Sequence, residues 1–153
     1  MVLLSLSELR ATLAPNKRLI GIDPGRRTIG VALSDVLLTL ASPYGAIRRG
    51  KLRDNAGEIA AIARKEDAGG LVVGLPLLMD GSFGPSAQAA RDWALALSDA
   101  VSLPATMWDE RLSSAAVNRF LIEDADITRR KRGQAVDRMA AAWLLQGALD
   151  ALR

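Results

Sequence analysis

Hydrophobic positions along this chain switch between a period near 3.6 and a period of two. Leu6, Leu9 and Leu13 recur at helical spacing behind the helix-starting residues Ser5 and Ser7, which predicts a short helix ending near Pro15. Arg18 to Asp23 is a short apolar run rich in branched residues and reads as a buried strand. The turn Asp23-Pro-Gly25 leads into Thr28 to Ser34, where large apolar residues alternate with small ones, so the two segments predict a hairpin. A third strand is expected around Tyr44 to Arg48, and a helix over Asp54 to Glu66 on the spacing of Ile59, Ile62 and Ala63. Gly70 to Gly74 reads as a fourth, fully buried strand, followed by a Gly- and Pro-bearing loop from Leu75 to Pro85. A helix from about Ser86 to Ala100 puts Ala90, Trp93, Ala94 and Leu97 on one face, and Pro104 to Trp108 is a fifth strand. Helices from about Ser113 to Glu123 and from about Gly133 to Leu152 close the chain. Trp93 and Trp143 sit among apolar residues at helical spacing and are expected in the core.

Three strands followed by alternating helix and strand indicate an α/β domain whose five-stranded sheet mixes antiparallel hairpin strands with parallel ones, flanked by helices. The chain of 153 residues is expected to form one domain, 1–153, in which 1–16 is a short helical extension. No internal repeat or interdomain linker interrupts it.

What is missing narrows the chemistry. The chain has no Cys and no His. Disulfides, thiolate zinc sites, Ser-His-Asp triads and histidine general bases are therefore excluded. Catalysis here must use carboxylates, Lys, Arg, hydroxyls, backbone groups or a bound ion. A net charge of +3 suits an anionic partner, while only 4% aromatic residues argue against gripping single strands mainly by stacking. No secretory signal and no run of about 20 apolar residues is evident, so a cytoplasmic protein without a membrane partner is expected.

Three carboxylates look out of place. Asp23 ends an apolar strand and shares its face with Gly21, which leaves space beside the carboxylate; the plainer alternative is a turn Asp that initiates the Asp-Pro-Gly bend. Glu110 follows the fifth strand, and strand ends in open α/β sheets form the usual ligand crevice. A helix start, with Asp109 capping and Glu110 in the first turn, is the competing reading. Alternation places Glu110 on the side of Trp108, with Asp109 opposite. Asp137 falls on one helical stripe with Ala141, Leu144 and Ala148, close to the expected helix start, where the dipole favours an anion. A carboxylate on an apolar stripe is costly unless it is paired, here with Arg138, Lys131 or Arg111, or holds an ion. Hard cations such as Mg²⁺ take oxygen ligands and keep several waters, so two or three convergent carboxylates suffice to hold them. Metal-assisted phosphodiester hydrolysis then needs no histidine.

Four blocks, in this order, resemble the YqgF/RuvX family of the RNase H-like superfamily. They are Gly21-Ile-Asp-Pro-Gly25 with Gly30-Val-Ala-Leu-Ser-Asp35; Val72-Val-Gly-Leu-Pro76 with Met79-Asp-Gly-Ser82; Trp108-Asp-Glu-Arg-Leu-Ser-Ser114; and Val136-Asp-Arg-Met-Ala-Ala-Ala142 with Leu144-Leu-Gln146. The resemblance covers about Arg18 to Leu152. It implies an RNase H-like fold, an acidic triad of Asp23, Glu110 and Asp137 binding Mg²⁺ or Mn²⁺, and a role in maturing the small-subunit ribosomal RNA precursor. Relatives are also discussed as Holliday junction resolvases. That group carries a second acid three residues after the one matching Asp137, and here the position is Ala140.

Basic residues flank these elements: Arg26 and Arg27; Arg48 and Arg49 with Lys51 and Arg53; Arg111 beside Glu110; and the run Arg129, Arg130, Lys131 and Arg132, which is expected to precede the last helix. On one face they would bind a phosphate backbone; singly, each reads as solvated surface. The loop from Gly74 to Ser82 has no phosphate-loop pattern, and Ser113 and Ser114 are read as helix caps. The expectation is an endonuclease that takes structured RNA, or branched DNA, with ribosomal precursor particles as partners. The alternatives are a DNA junction resolvase and a non-catalytic nucleic-acid or ribosome-associated module. An actin-like phosphotransferase would need a second lobe for which 153 residues leave no room.

Overall fold

The computed structural model describes residues 3–76, 80–109 and 129–153, with side chains from 139 onward in the last of these. The hairpin forms where the alternation places it. β1 (Arg18–Pro24) pairs antiparallel with β2 (Thr28–Ser34), and β2 pairs antiparallel with β3 (Ala41–Arg48). β3 begins three residues earlier than its side-chain pattern suggests, because Ala41, Ser42 and Pro43 are drawn into register by Ser34, Leu33 and Ala32. β1 then pairs in parallel with β4 (Ala68–Leu75), and β4 with β5 (Ala105–Asp109). The order is β3-β2-β1-β4-β5, so β1 is the central strand. A mixed sheet of this order, a three-stranded antiparallel meander continued by parallel strands, is the five-stranded arrangement expected from the sequence.

Helices cover both faces. α2 (Leu52–Glu66) and α3 (Pro85–Val101) pack with Ile20, Ile22, Ile29, Leu71 and Val73, while the opposite face is covered by α4 (Arg129–Ala151). Alternation divides β1 accordingly: Ile20 and Ile22 face α2 and α3, and Leu19 and Gly21 face α4. The α4 stripe of Ala141, Leu144, Leu145, Ala148 and Leu149 is buried, as its helical spacing requires. Trp143 is not core: it is 46% exposed, because it sits on the flank of α4, outside that stripe.

α1 (Leu6–Thr12) has a complete capping box, in which the Ser5 hydroxyl accepts from the Glu8 N–H and the Glu8 carboxylate accepts from the Ser5 N–H. Its Leu9 is fully buried against Leu19 and the backbone of Gly70. Just before it, Leu3 forms a parallel bridge with Ala105, so the N-terminal extension partly covers the otherwise open edge of β5.

α4 starts earlier than its apolar periodicity indicates. Arg129 to Arg132 lie inside its first turns rather than before it, since Arg and Lys are good helix formers even where no apolar stripe marks them. Residue 137 consequently sits in the third turn, beyond the reach of the helix dipole invoked for it. The helix expected from Ser113 to Glu123 lies outside the described residues.

Candidate active site

Three parallel strands end along one edge of the sheet, β1 at Asp23 and Pro24, β4 at Leu75, and β5 at Trp108 and Asp109. Strand ends on such an edge open a crevice, because the connections leave it in different directions. Asp23 is half-buried there. Two residues on from Gly21, its side chain belongs to the face covered by α4.

Along the sheet, Asp23 has glycines for neighbours. Its direct partner on β2 is Gly30, and on the other side Gly74 follows Val73, the partner of Ile22. Gly74 is in turn paired with Trp108 of β5. One row across the sheet thus reads Gly30, Asp23, Gly74, Trp108, with the carboxylate between two residues that have no side chain. Gly30 and Gly74 act here in a way that sequence reasoning missed; the signal was present as two small residues at strand positions otherwise filled by Val, Ile and Leu.

Gly21 explains why the helix comes so close. A Cβ on Gly21 would lie 2.8 Å from the Leu145 Cβ and 3.1 Å from the Ala141 carbonyl oxygen. At its far end α4 meets α1, where Arg10 donates 2.8 Å to the Leu152 carbonyl, beside the beginning of β1. α4 therefore runs opposite to β1. One turn back from Ala141, about 6 Å along the helix axis, is the backbone of residue 137. Gly21 to Asp23 is about 6.6 Å along the strand in the same direction. Trp108, two strands from Asp23, also faces α4, its indole Nε1 3.1 Å from where a Gly147 Cβ would stand, whereas Met107 packs with the α2 and α3 face. Glu110 and Arg111 lie outside the described residues, and for Asp137 and Arg129 to Arg132 the backbone alone is described. Among the described residues no three acidic side chains gather. Ala140, at the position of the resolvases' extra acid, is buried.

The turn after Asp23 is tight. The Gly25 N–H donates to the Thr28 carbonyl at 2.9 Å, and a Cβ on Gly25 would lie 2.6 Å from that same oxygen. Arg49, just past β3, braces this turn: its Nη1 donates 2.8 Å to the Gly25 carbonyl, and its backbone N–H donates 2.8 Å to the Arg27 carbonyl. Arg26 and Arg27 themselves are exposed.

Asp35, in the resemblance block, is a structural acid. Its carboxylate accepts from the Thr39 hydroxyl at 2.6 Å and from the Thr39 and Leu40 N–H groups at 2.7 and 3.1 Å. These bonds, the Thr39 hydroxyl foremost, hold its carboxyl below the usual range. It closes the β2–β3 connection, far along the hairpin from Asp23.

The family model described as "RuvX: Holliday junction resolvase" matches residues 17–151. A protein of Gluconacetobacter diazotrophicus named "Putative pre-16S rRNA nuclease" is 64% identical over 99% of this chain and 98% of its own length. One of the same name from Gluconobacter oxydans is 59% identical over 100% of this chain and 96% of its own. Among solved structures, the one titled "T. thermophilus RuvC in complex with Holliday junction substrate" is similar with a TM-score of 0.49 and 17% identity, covering 89% of this chain and 95% of that one. With the family model spanning everything from the last residue before β1 to the end of α4, the chain belongs to the RuvX family.

Proposed function

We propose that this protein is a metal-dependent endonuclease that hydrolyses phosphodiester bonds in structured nucleic acid, with maturation of the 5′ end of the pre-16S rRNA as its task. The observation that carries the reading is the setting of Asp23: a carboxylate on the central strand, at the edge where β1, β4 and β5 all end, flanked by Gly30 and followed across the sheet by Gly74. The names borne by relatives at 59–64% identity over nearly the whole chain supply the substrate class.

Asp23, Glu110 and Asp137 are the proposed ligands. Helix α4 carries the backbone of residue 137 along the sheet toward the Asp23 end, and Glu110 follows directly on the last residue of β5 in the chain. In a chain without His or Cys this donor set is all oxygen, which fits Mg²⁺ or Mn²⁺ rather than zinc. A divalent ion bound there supplies an activated water and charge neutralisation at the leaving oxygen. The protein's own part is positional. Arg49 braces the β1–β2 turn that follows Asp23. Arg26, Arg27, Arg111 and the helical cations Arg129 to Arg132 bind the phosphates on either side. With Ala140 in place of the resolvases' extra acid, RNA is favoured over a four-way DNA junction.

The deciding assay compares wild type with Asp23→Asn on two substrates with Mg²⁺: a structured RNA carrying the precursor's 5′ extension, and a four-way DNA junction. Cleavage of the RNA that falls at least about a hundredfold in the folded variant is the expected result. Cleavage unaffected by the substitution, or binding without cleavage of either substrate, would overturn the reading in favour of a non-catalytic module.

A further inference from the structure

On the far side of the sheet edge from Asp23, the structure has a second built feature. A cavity of about 330 Å³ opens between the β1–β2 turn and the N-terminal half of α3, lined among others by Pro24, Arg26, Arg49, Pro76, Ser86 and Trp93. Two cations line it and, among the described residues, no carboxylate does. Arg49 is held in place rather than free: its guanidinium carbon lies 5.2 Å from the centre of the Trp93 ring while its Nη1 bonds the Gly25 carbonyl. Neither Arg49 nor Arg26 has an acidic partner among the described residues. A guanidinium braced by an aromatic face and a carbonyl, with no acidic partner among the described residues, is prepared for an anion.

We infer that this cavity is a subsite for the nucleic-acid strand, in which Arg26 and Arg49 bind a phosphodiester next to the one cleaved at Asp23. Consecutive residues tie the two places together. Asp23 faces α4 and Pro24 lines the cavity, so a strand crossing the end of β1 reaches both. The inference rests on the nuclease reading and adds the path of the strand: over the β1 edge, from the α4 side to the α3 side. Arg49 is also what couples the two, since the same side chain that meets the phosphate braces the turn after Asp23.

Binding is best read in metal-free Asp23→Asn protein, by anisotropy of a labelled RNA hairpin with single-stranded flanks, between ~50 and ~200 mM salt. Adding Arg26→Gln is expected to weaken binding roughly fivefold at the lower salt and to reduce the slope of log affinity against log salt by about 1. Adding Arg49→Gln as well is expected to weaken binding further with little added change in slope, because the two cations meet the same phosphodiester. The Trp93 indole N–H resonance, assigned with Trp93→Phe, is expected to shift on addition of the RNA in the Asp23→Asn protein. Thermal melts show whether each variant is folded, and the exposed Arg26 keeps the test open if Arg49→Gln does not fold. An unchanged salt slope and an unmoved Trp93 signal, in protein that still binds RNA and whose parent still cleaves, would overturn the subsite and leave the nuclease reading standing. A Trp93 shift with inorganic phosphate but not with RNA would overturn it as well. Absence of both RNA binding and cleavage would remove the two together.

Discussion

The backbone carbonyl of Ala141 lies so close over Gly21 that a single methyl group on the strand would come within 3.1 Å of it. This contact sets the depth of α4 on the sheet at the level of the candidate site. Gly21→Ala pushes against helix backbone and the Leu145 Cβ, neither of which is a flexible side-chain end. The variant is expected to lose about 1–3 kcal/mol of stability in urea unfolding. Cleavage should fall further than the loss of folded protein explains, because α4 must lift away from the end of β1.

The N-terminal extension is part of the fold. Leu9 is fully buried against Leu19 and Gly70, so Leu9→Ala is expected to cost about 3 kcal/mol. Ser5→Ala, which breaks the capping box, should cost about 1 kcal/mol. Chemical denaturation of the two variants measures both; a Leu9→Ala protein as stable as wild type would show the extension to be dispensable.

Asp35 makes stability depend on pH in a stated direction. Its folded-state pKa is lowered by the Thr39 hydroxyl and by backbone N–H bonds. Its contribution is therefore full above the unfolded value, about 3.9, and disappears as pH falls through the lower folded value. The stability difference between wild type and Asp35→Asn should be steady from pH 7 to about pH 5 and shrink below about pH 4. Denaturation curves at several pH values test this; a gap unchanged at the acid end would show that the charge contributes nothing.

The tryptophans should separate sharply. Trp108 packs against Gly147 of α4, and Trp108→Ala is expected to cost about 2 kcal/mol, less than the ~3–5 of a fully buried aromatic. Trp143, 46% exposed, is expected to tolerate replacement by Ala within about 1 kcal/mol. Equal losses in thermal or urea unfolding would contradict this division.

β1 and β2 are legible almost to the residue because their signals, a short branched apolar run in β1 and large-small alternation in β2, are local and both strands are largely buried. β3 was only half legible. Ser42, Pro43 and Tyr44 are exposed and carry no alternation, and they become strand through pairing with β2. The start of α4 was hidden for a similar reason, since four consecutive cations have no apolar period although the backbone is helical through them. Trp143 was misjudged because neighbouring apolar residues on a helix need not share its buried stripe.

By itself the sequence determined the order of the described strands and helices, the placing of Asp23 at a strand end, and, through the lack of His and Cys, a set of side-chain metal ligands limited to oxygen donors. Tertiary structure alone decided that α4 runs opposite to β1 with its backbone on Gly21, that Gly30 pairs with Asp23 across the sheet, and that Arg49 joins Arg26 around one cavity. The reason is physical. Local periods follow from the geometry of one strand or one helix, whereas the meeting of distant residues depends on how whole faces pack, which no short stretch of chain encodes.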